Sequence, residues 1–598
     1  MKEARILEID GRFLYYAFLA GGNKILQNQL EINRINVFPI NDKDTGTNMA
    51  STIRSVIDNL RPHRSYKTTV NNIAEAALIG ARGNSGVIFA QFLFGISQET
   101  INKSVITVSE FADSLKKSIP YIYEAVTNPV EGTMLTVIKD WSDYFSSKKS
   151  IISDFKKIFI ESFVILEKSL IETKSKLNIL NQYNFVDAGA KGFVLFIEGI
   201  IEFIKSRNIR NFVTESSGDI LLIHDEHIAD EDIKYRFCTE AILRKVQLSK
   251  SELQKRLNEY GNSVVVAGSE SLCRIHVHTN DPASLFYELK DYSSITFQKV
   301  DDMIRQSEIA VKRKWNIALV TDSTCDLSQE IIDNYQINVV PLNISFGDSH
   351  YLDKVTMKPE QFYSTLESSS EFPKTSLINE STFTNLYSHL ASYYDAIIAI
   401  HLTCQFSGTY QSSTKAAERI KNEFNKPVIV IDSKNLSGAL GLIVLRIAQA
   451  IEAGWQIETI ADEVKTWIND AKIFVSVKSL KYMIKGGRVS KQKGFIANLL
   501  GINPIVSMDS NGKSVLMGQT FSQRANISKV MKHIKNISSE KKIWNYIVLH
   551  ARNSAGAEKY TEKMYRLTGR KPVSVVDISP VIGMNVGIGA IAVSLMFD

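Results

Sequence analysis

Asp42 and Asp44 stand one residue apart in NVFPINDKDTGTNMAST, with Thr45, Gly46, Thr47 and Asn48 directly after them. Two carboxylates that close repel unless a cation lies between them, and small residues leave backbone amides open. Magnesium takes oxygen ligands, keeps several waters and is usually held by one or two carboxylates together with substrate phosphate. The stretch suits a magnesium ion carrying phosphate, and it equally suits an ordinary solvated turn. A second stretch, LIGARGNSGVIFAQFL, carries Gly80, Gly83 and Gly86 with Asn84 and Ser85 ahead of an apolar helical run. Glycines let amides approach phosphate, and the helix N-terminus adds partial positive charge. A turn between helices that needs glycine for space has the same appearance.

Two further sets of residues could do chemistry. His276 and His278 in RIHVHTNDP point to one face if the segment is a strand, and Cys238 in RFCTEAIL is a soft ligand that could join them on zinc. An ordinary pair of core or surface histidines is the other reading. Later in the chain Thr375 and Ser376, then Ser407, Gly408 and Thr409, offer donors to a carboxylate at the ends of apolar segments long enough to line a tunnel. Taken singly, such residues also serve as turns and helix caps.

The elements that must position these groups follow from periodicity. Residues 1–205 repeat apolar positions at three and four, as in FKKIFIESFVILEKSLIETKSKL, which predicts an all-α helical domain without a sheet of consequence. Residues 212–313 mix short β-branched runs with helix-length stretches, a small α+β domain. Residues 315–598 alternate apolar strands with helices, an α/β domain whose strand ends collect ligands. A multidomain chain is also what 598 residues require, since one core does not grow that large.

Composition excludes several classes. With 44% hydrophobic and 22% charged residues the chain is globular, and a net charge of +6 without a long basic block gives no nucleic-acid footprint. Four scattered cysteines and an N-terminus without an apolar core predict a cytoplasmic protein. The uncharged ISPVIGMNVGIGAIAVSLMF is long enough to cross a bilayer, but Pro580, Asn585 and its glycines predict a buried turn running into a final strand.

The first two loops, with NPVEGTML and FVDAGAKGFVLFIEG, resemble the nucleotide-binding L subunit of dihydroxyacetone kinases (DhaL), most closely the version in the bacterial fatty acid kinase A subunit. That resemblance implies a barrel of helices in which Asp42 and Asp44 hold magnesium on ATP phosphates. Gly80 to Gly86 would wrap the nucleotide, Thr47 and Asn48 help hold phosphate, and Asp187 and Gly189 lie near base or ribose. Where the family reads Pro-Asp-Gly-Asp, this chain has Asn41-Asp42-Lys43-Asp44; a lysine where glycine had positive φ costs on the order of 1 kcal/mol. A further aspartate of the dihydroxyacetone enzymes is Val37 here. The middle segment resembles the fatty acid kinase A middle domain, which implies zinc on Cys238, His276 and His278 with no evident fourth ligand.

From Trp315 to Asp598 the chain resembles the DegV family of fatty-acid-binding proteins. That implies a fatty acid carboxylate on Thr375 and Ser407, with Arg488 and His550 serving the head group. The family's His-Gly is His550-Ala551 here, and a histidine of its last glycine-rich motif is Asn585. Together the resemblances imply a fatty acid kinase using ATP and magnesium, with Asp42, Asp44 and Arg488 catalytic. A homodimer and transient membrane contact for acyl exchange are further expectations. The alternative is a lipid-binding carrier whose nucleotide domain is catalytically impaired. Glycerone phosphorylation is the poorer reading, because no domain resembles the substrate-binding subunit of dihydroxyacetone kinases.

Overall fold

The computed structural model describes residues 5–38, 43–206, 233–487 and 502–598. Asp42, Arg488 and the start of the expected middle domain, 212–232, lie outside the described residues. The chain forms two compact units, Met1–Asp281 with Tyr292–Ser307, and Pro282–Asp291 with Glu308–Asp598.

In the first unit the described chain from Gly11 to Ser206 is helical apart from a short antiparallel pair, Glu8–Asp10 with Val105–Thr107. Helix ends are set by local chemistry: Asp10 accepts from the Phe13 amide, and Thr107 with Glu110 forms a capping box. The helix Ala188–Ser206 is apolar nearly all round and runs through the core. Gly199 lies against the helix Gly11–Gln27 so closely that a Cβ would stand 2.5 Å from the Ala20 carbonyl oxygen. Phe111, Trp141, Phe145, Phe159 and Phe193 interlock edge to face beside it.

The same unit contains a four-stranded antiparallel sheet in the spatial order Gly261–Ser269, Leu272–Thr279, Phe237–Arg244, Ser294–Asp302. Register places Cys238 opposite His278 on one side and Asp301 on the other, and Glu240 opposite His276 and Lys299. Alternation puts Cys238, Glu240 and Ile242 on one face. Ile242, Val265, Ala267 and Leu272 join the helical core, so sheet and helices share one apolar interior.

The second unit contains a four-stranded parallel sheet ordered Val428–Asp432, Ala396–His401, Ile317–Asp322, Asn338–Val340. A six-stranded mixed sheet is ordered Ser514–Thr520, Asn503–Met508, Ala471–Ser476, Ile591–Phe597, Ile543–His550, Val575–Asp577. A small antiparallel sheet holds Lys374–Ser376 at one edge. The helix Ser437–Glu452 is apolar over most of its surface because it packs against strands of both larger sheets. The uncharged C-terminal stretch is a short helix, Pro580–Val586, turning into the buried strand Ile591–Phe597. Among the described residues no helix is long and apolar enough to cross a membrane.

Candidate functional site

Four helix N-termini meet in the first unit, those of Thr45–Asn59, Gly83–Glu99, Met134–Lys148 and Ala188–Ser206. One oxygen of Asp187, Oδ1, accepts the Met134 amide at 3.1 Å and the Ala190 amide at 2.8 Å. Gly189 lies beside Ser85, whose hydroxyl is 3.5 Å from that of Thr45, the residue after Asp44. Burial pushes the Asp187 carboxyl up to about 6, against the two amides that favour its charge. Each terminus contributes partial positive charge, and the side-chain donors here are oxygens, so the place suits phosphate with a hard cation. Asp44 caps the first of these helices without a side-chain bond, and Lys43 before it has φ 51°, the left-handed region.

The glycines have close-packing partners on the helix Thr45–Asn59. A Cβ at Gly80 would stand 2.0 Å from that of Ser55, one at Gly83 (φ 56°) 2.1 Å from Asn48 Nδ2, and one at Gly86 2.7 Å from the Thr52 hydroxyl. Space between helices therefore accounts for Gly80 and Gly86, and Gly83 needs its left-handed backbone as well. Thr47 is engaged locally: its hydroxyl accepts from Gln29 and Asn33, and its amide donates to Asn33. Asn84 keeps a buried Oδ1 with no hydrogen bond among the described residues.

On the sheet, Cys238, His276 and His278 bring one ligand atom each within 4.8 Å of the others. Cys238 Sγ is 3.9 Å from His276 Nδ1, and His276 Nε2 is buried with no hydrogen-bond partner among the described residues. Burial raises the Cys238 thiol well above its usual range, with Glu240, Asp301 and Asp44 adding to the effect. His278 is pushed down to about 3 by burial and then by His276, which keeps the imidazole neutral. An orphaned ring nitrogen, a neutral imidazole and a thiol among carboxylates fit a soft divalent cation such as zinc.

Beside this cluster lies a buried pair that residue spacing does not reveal. Arg274 Nη2 donates to Glu240 Oε2 at 2.7 Å, and both side chains are almost fully buried. Against the cost of burial, Arg274 and His276 hold the Glu240 carboxyl well below its usual range. The one available signal was period two: Glu240 follows Cys238 by two residues and shares its face.

The second unit holds a cavity of about 280 Å³, mostly apolar, lined in part by Ile473, Val475, Met483 and Ala592. Thr375, Ser376, Ser407 and Gly408 also line it. The two polar segments touch, since a Cβ at Gly408 would stand 3.0 Å from the Leu377 side chain. Thr409 lies behind the lining, its hydroxyl 2.8 Å from Ser407 Oγ and its amide donating to that oxygen. His550 is outside the lining, with Nδ1 3.0 Å from Asp577 Oδ1. Asn585 lines the cavity and donates to the Val581 carbonyl, leaving Oδ1 without a partner among the described residues. His401, Ser413 and Tyr387 form a hydrogen-bonded chain with Asp322 Oδ2 3.3 Å from His401 Nδ1, but all four are buried in the core.

Comparison with known proteins finds family models on three separate stretches of the chain. Residues 39–202 match the DAK2 domain, 234–310 the fatty acid kinase A subunit-like middle domain, and 316–598 the DegV family. An uncharacterised protein of Staphylococcus haemolyticus is 31% identical over 325 residues, which are 52% of this chain and 58% of that protein. Protein YloV of Bacillus subtilis is 31% identical over 319 residues, 50% of this chain and 57% of that one. The chain thus spans less than two thirds of the length of these relatives. Among solved structures, a DegV family protein of Thermus thermophilus described by its fatty acid binding matches at 25% identity and TM-score 0.44, over 47% of this chain and 100% of its own. DegV of Bacillus subtilis, a fatty acid binding protein, matches at 27% and 0.43, over 48% and 100%. The helical bundle, the sheet bearing Cys238 and the cavity-bearing α/β unit are accordingly a DAK2 domain, a fatty acid kinase A subunit-like middle domain and a DegV-family domain carried on one chain.

Proposed function

We propose that the chain is a self-contained fatty acid kinase, moving the γ-phosphoryl group of ATP to the carboxylate of a fatty acid held in the DegV domain. The observation that carries this reading is the presence in one polypeptide of a DAK2 domain with four convergent helix N-termini and a DegV domain with an apolar cavity edged by hydroxyls. A carboxylate oxygen bonds to the γ-phosphorus while the bond from that phosphorus to the β,γ-bridging oxygen breaks, its electrons leaving with ADP. An ionised carboxylate has no proton to lose, so positioning and charge neutralisation are most of what the transfer needs.

In this reading Asp42 and Asp44 would hold magnesium, which neutralises charge on the phosphates. First-turn amides of the Gly83–Glu99 helix, with Asn84 and Ser85, would receive those phosphates. Thr375 and Ser407 would hold the carboxylate, and Arg488 is the cation assigned to the head group. Cys238, His276 and His278 would hold zinc. A reducing cytoplasm suits the four unpaired cysteines. Homodimers and brief contact with membranes for acyl exchange complete the proposal.

Purified protein with magnesium, ATP and oleate is expected to yield acyl phosphate, trapped as hydroxamate, and Asp42→Ala is expected to abolish it. Absence of product with oleate still bound would favour a lipid carrier with an impaired nucleotide domain. The left-handed Lys43 is the observation behind that second reading.

A further inference from the structure

Glu240 has two partners with different jobs. Its Oε1 accepts the Gly83 amide at 2.5 Å, and its Oε2 accepts Arg274, which in turn donates Nη1 to the Ile79 carbonyl at 3.4 Å. Ile79 and Gly83 bracket Gly80 to Arg82, so the pair grips both ends of the loop that opens the Gly83–Glu99 helix. Toward the metal cluster, the same Oε1 lies 3.5 Å from His276 Nδ1, whose other nitrogen is the orphaned Nε2.

This arrangement changes the count of donors at the helix N-terminus. Gly86 already donates to the Arg82 carbonyl. Gly83 is spent on Glu240, so of the first-turn amides those of Asn84 and Ser85 are left for an anion. Their aim depends on where Gly83 is held. A histidine that ligates metal through one ring nitrogen characteristically gives the other N–H to a carboxylate, which fixes tautomer and ring together. Glu240 is the carboxylate in that position.

We propose that Glu240 is a positioning residue that joins the Cys238, His276, His278 centre to the nucleotide loop, so that an ion on the centre tightens nucleotide binding. The proposal rests on the reading of that loop as an ATP site. Were His276 Nε2 to serve as the ligand atom, Nδ1–H would be left for Glu240, 3.5 Å away, and Glu240 would then hold Gly83 in one place. Without an ion Nδ1 also has Cys238 Sγ, 3.9 Å away, as a partner, and Glu240 is held less firmly. Coupling between two binding sites is reciprocal, so nucleotide should also strengthen zinc retention.

The test uses the full chain, with zinc content measured by elemental analysis and magnesium–ATP affinity by titration calorimetry. Protein is stripped with chelator, freed of it, resupplied with magnesium, and compared with and without added zinc. Wild type is expected to bind ATP about tenfold more weakly when stripped and to recover with zinc, within the usual range of coupling between sites. Glu240→Gln keeps an acceptor for Gly83 but gives His276 no carboxylate; it is expected to bind zinc and ATP with the two no longer linked. Glu240→Asp, a methylene shorter, is the second variant and is expected to lose the linkage too. A merely structural role would lower the melting temperature without separating the two affinities.

Equal ATP affinity of stripped and zinc-loaded wild type would overturn the proposal whatever the variants do. So would a wild type that binds ATP but no zinc, or a Glu240→Gln protein that responds to zinc as wild type does. Wild type that binds no ATP in either state would overturn the nucleotide-site reading itself, and this inference with it.

Discussion

Lys43 holds a left-handed backbone (φ 51°) between two aspartates, a conformation that costs a lysine on the order of 1 kcal/mol relative to glycine. Lys43→Gly is expected to raise ATP turnover several-fold while leaving the oleate dissociation constant unchanged; equal turnover would show the lysine to be harmless. Asp187 makes a different prediction. Its carboxyl is raised to about 6 in the fold, so the native state holds this proton more tightly than the unfolded chain does. Its contribution to stability is then fully present below about pH 4 and is lost as pH rises through about 6. Asp187→Asn keeps an acceptor for Met134 and Ala190 and should remove that dependence, whereas Asp187→Ala orphans two buried amides and should cost roughly 2–4 kcal/mol. Urea midpoints at acid and neutral pH distinguish the three proteins.

A strand carries a pattern that no single residue shows. Ile473 and Val475 both line the cavity because alternate residues of Ala471–Ser476 face the same side, and Ala592 comes from the neighbouring strand Ile591–Phe597. Ala592→Phe is therefore expected to fill the cavity and abolish displacement of a fluorescent fatty acid, leaving magnesium–ATP binding intact. At the polar edge, Ser407→Ala should weaken oleate binding about tenfold, the size of one hydrogen bond to a charged group. If Ser407→Ala binds oleate as wild type does, the carboxylate lies elsewhere in the cavity. The sheet of the first unit obeys the same alternation, which is why Cys238, His276 and His278 share a face.

For the molecule as a whole, the consequence of carrying a DAK2 domain and a DegV-family domain on one chain is effective concentration. Tethered partners meet as if at roughly millimolar concentration when the geometry allows it. Equimolar Asp42→Ala and Ala592→Phe proteins, each defective in one half, are expected to give far less acyl phosphate when mixed dilute than wild type does. Product approaching half the wild-type rate would instead place transfer between chains, and crosslinking of differently tagged copies would then report the dimer.

Much of this architecture is legible without coordinates. Periods of three to four separate the helical region from the mixed segments after it, and Pro580 with the glycines of the uncharged C-terminal stretch predicts a turn into a strand, of which the strand forms while a short helix, Pro580–Val586, stands where the turn was expected. Cys238, His276 and His278 are recognisable because period two is a local property of a strand. The partners of Gly83 are not: Glu240 is 157 residues away, and nothing in either neighbourhood names the other. Whether Gly80 makes room for Ser55 or for phosphate, and whether Thr409 lines the cavity or braces Ser407, are likewise decided by packing. Residue type and spacing determine which elements form and what chemistry each could do, since these depend on neighbours along the chain. Which donor is spent, which ring nitrogen is left over and which carboxylate reaches it depend on groups brought together across the chain, and only the tertiary structure decides them.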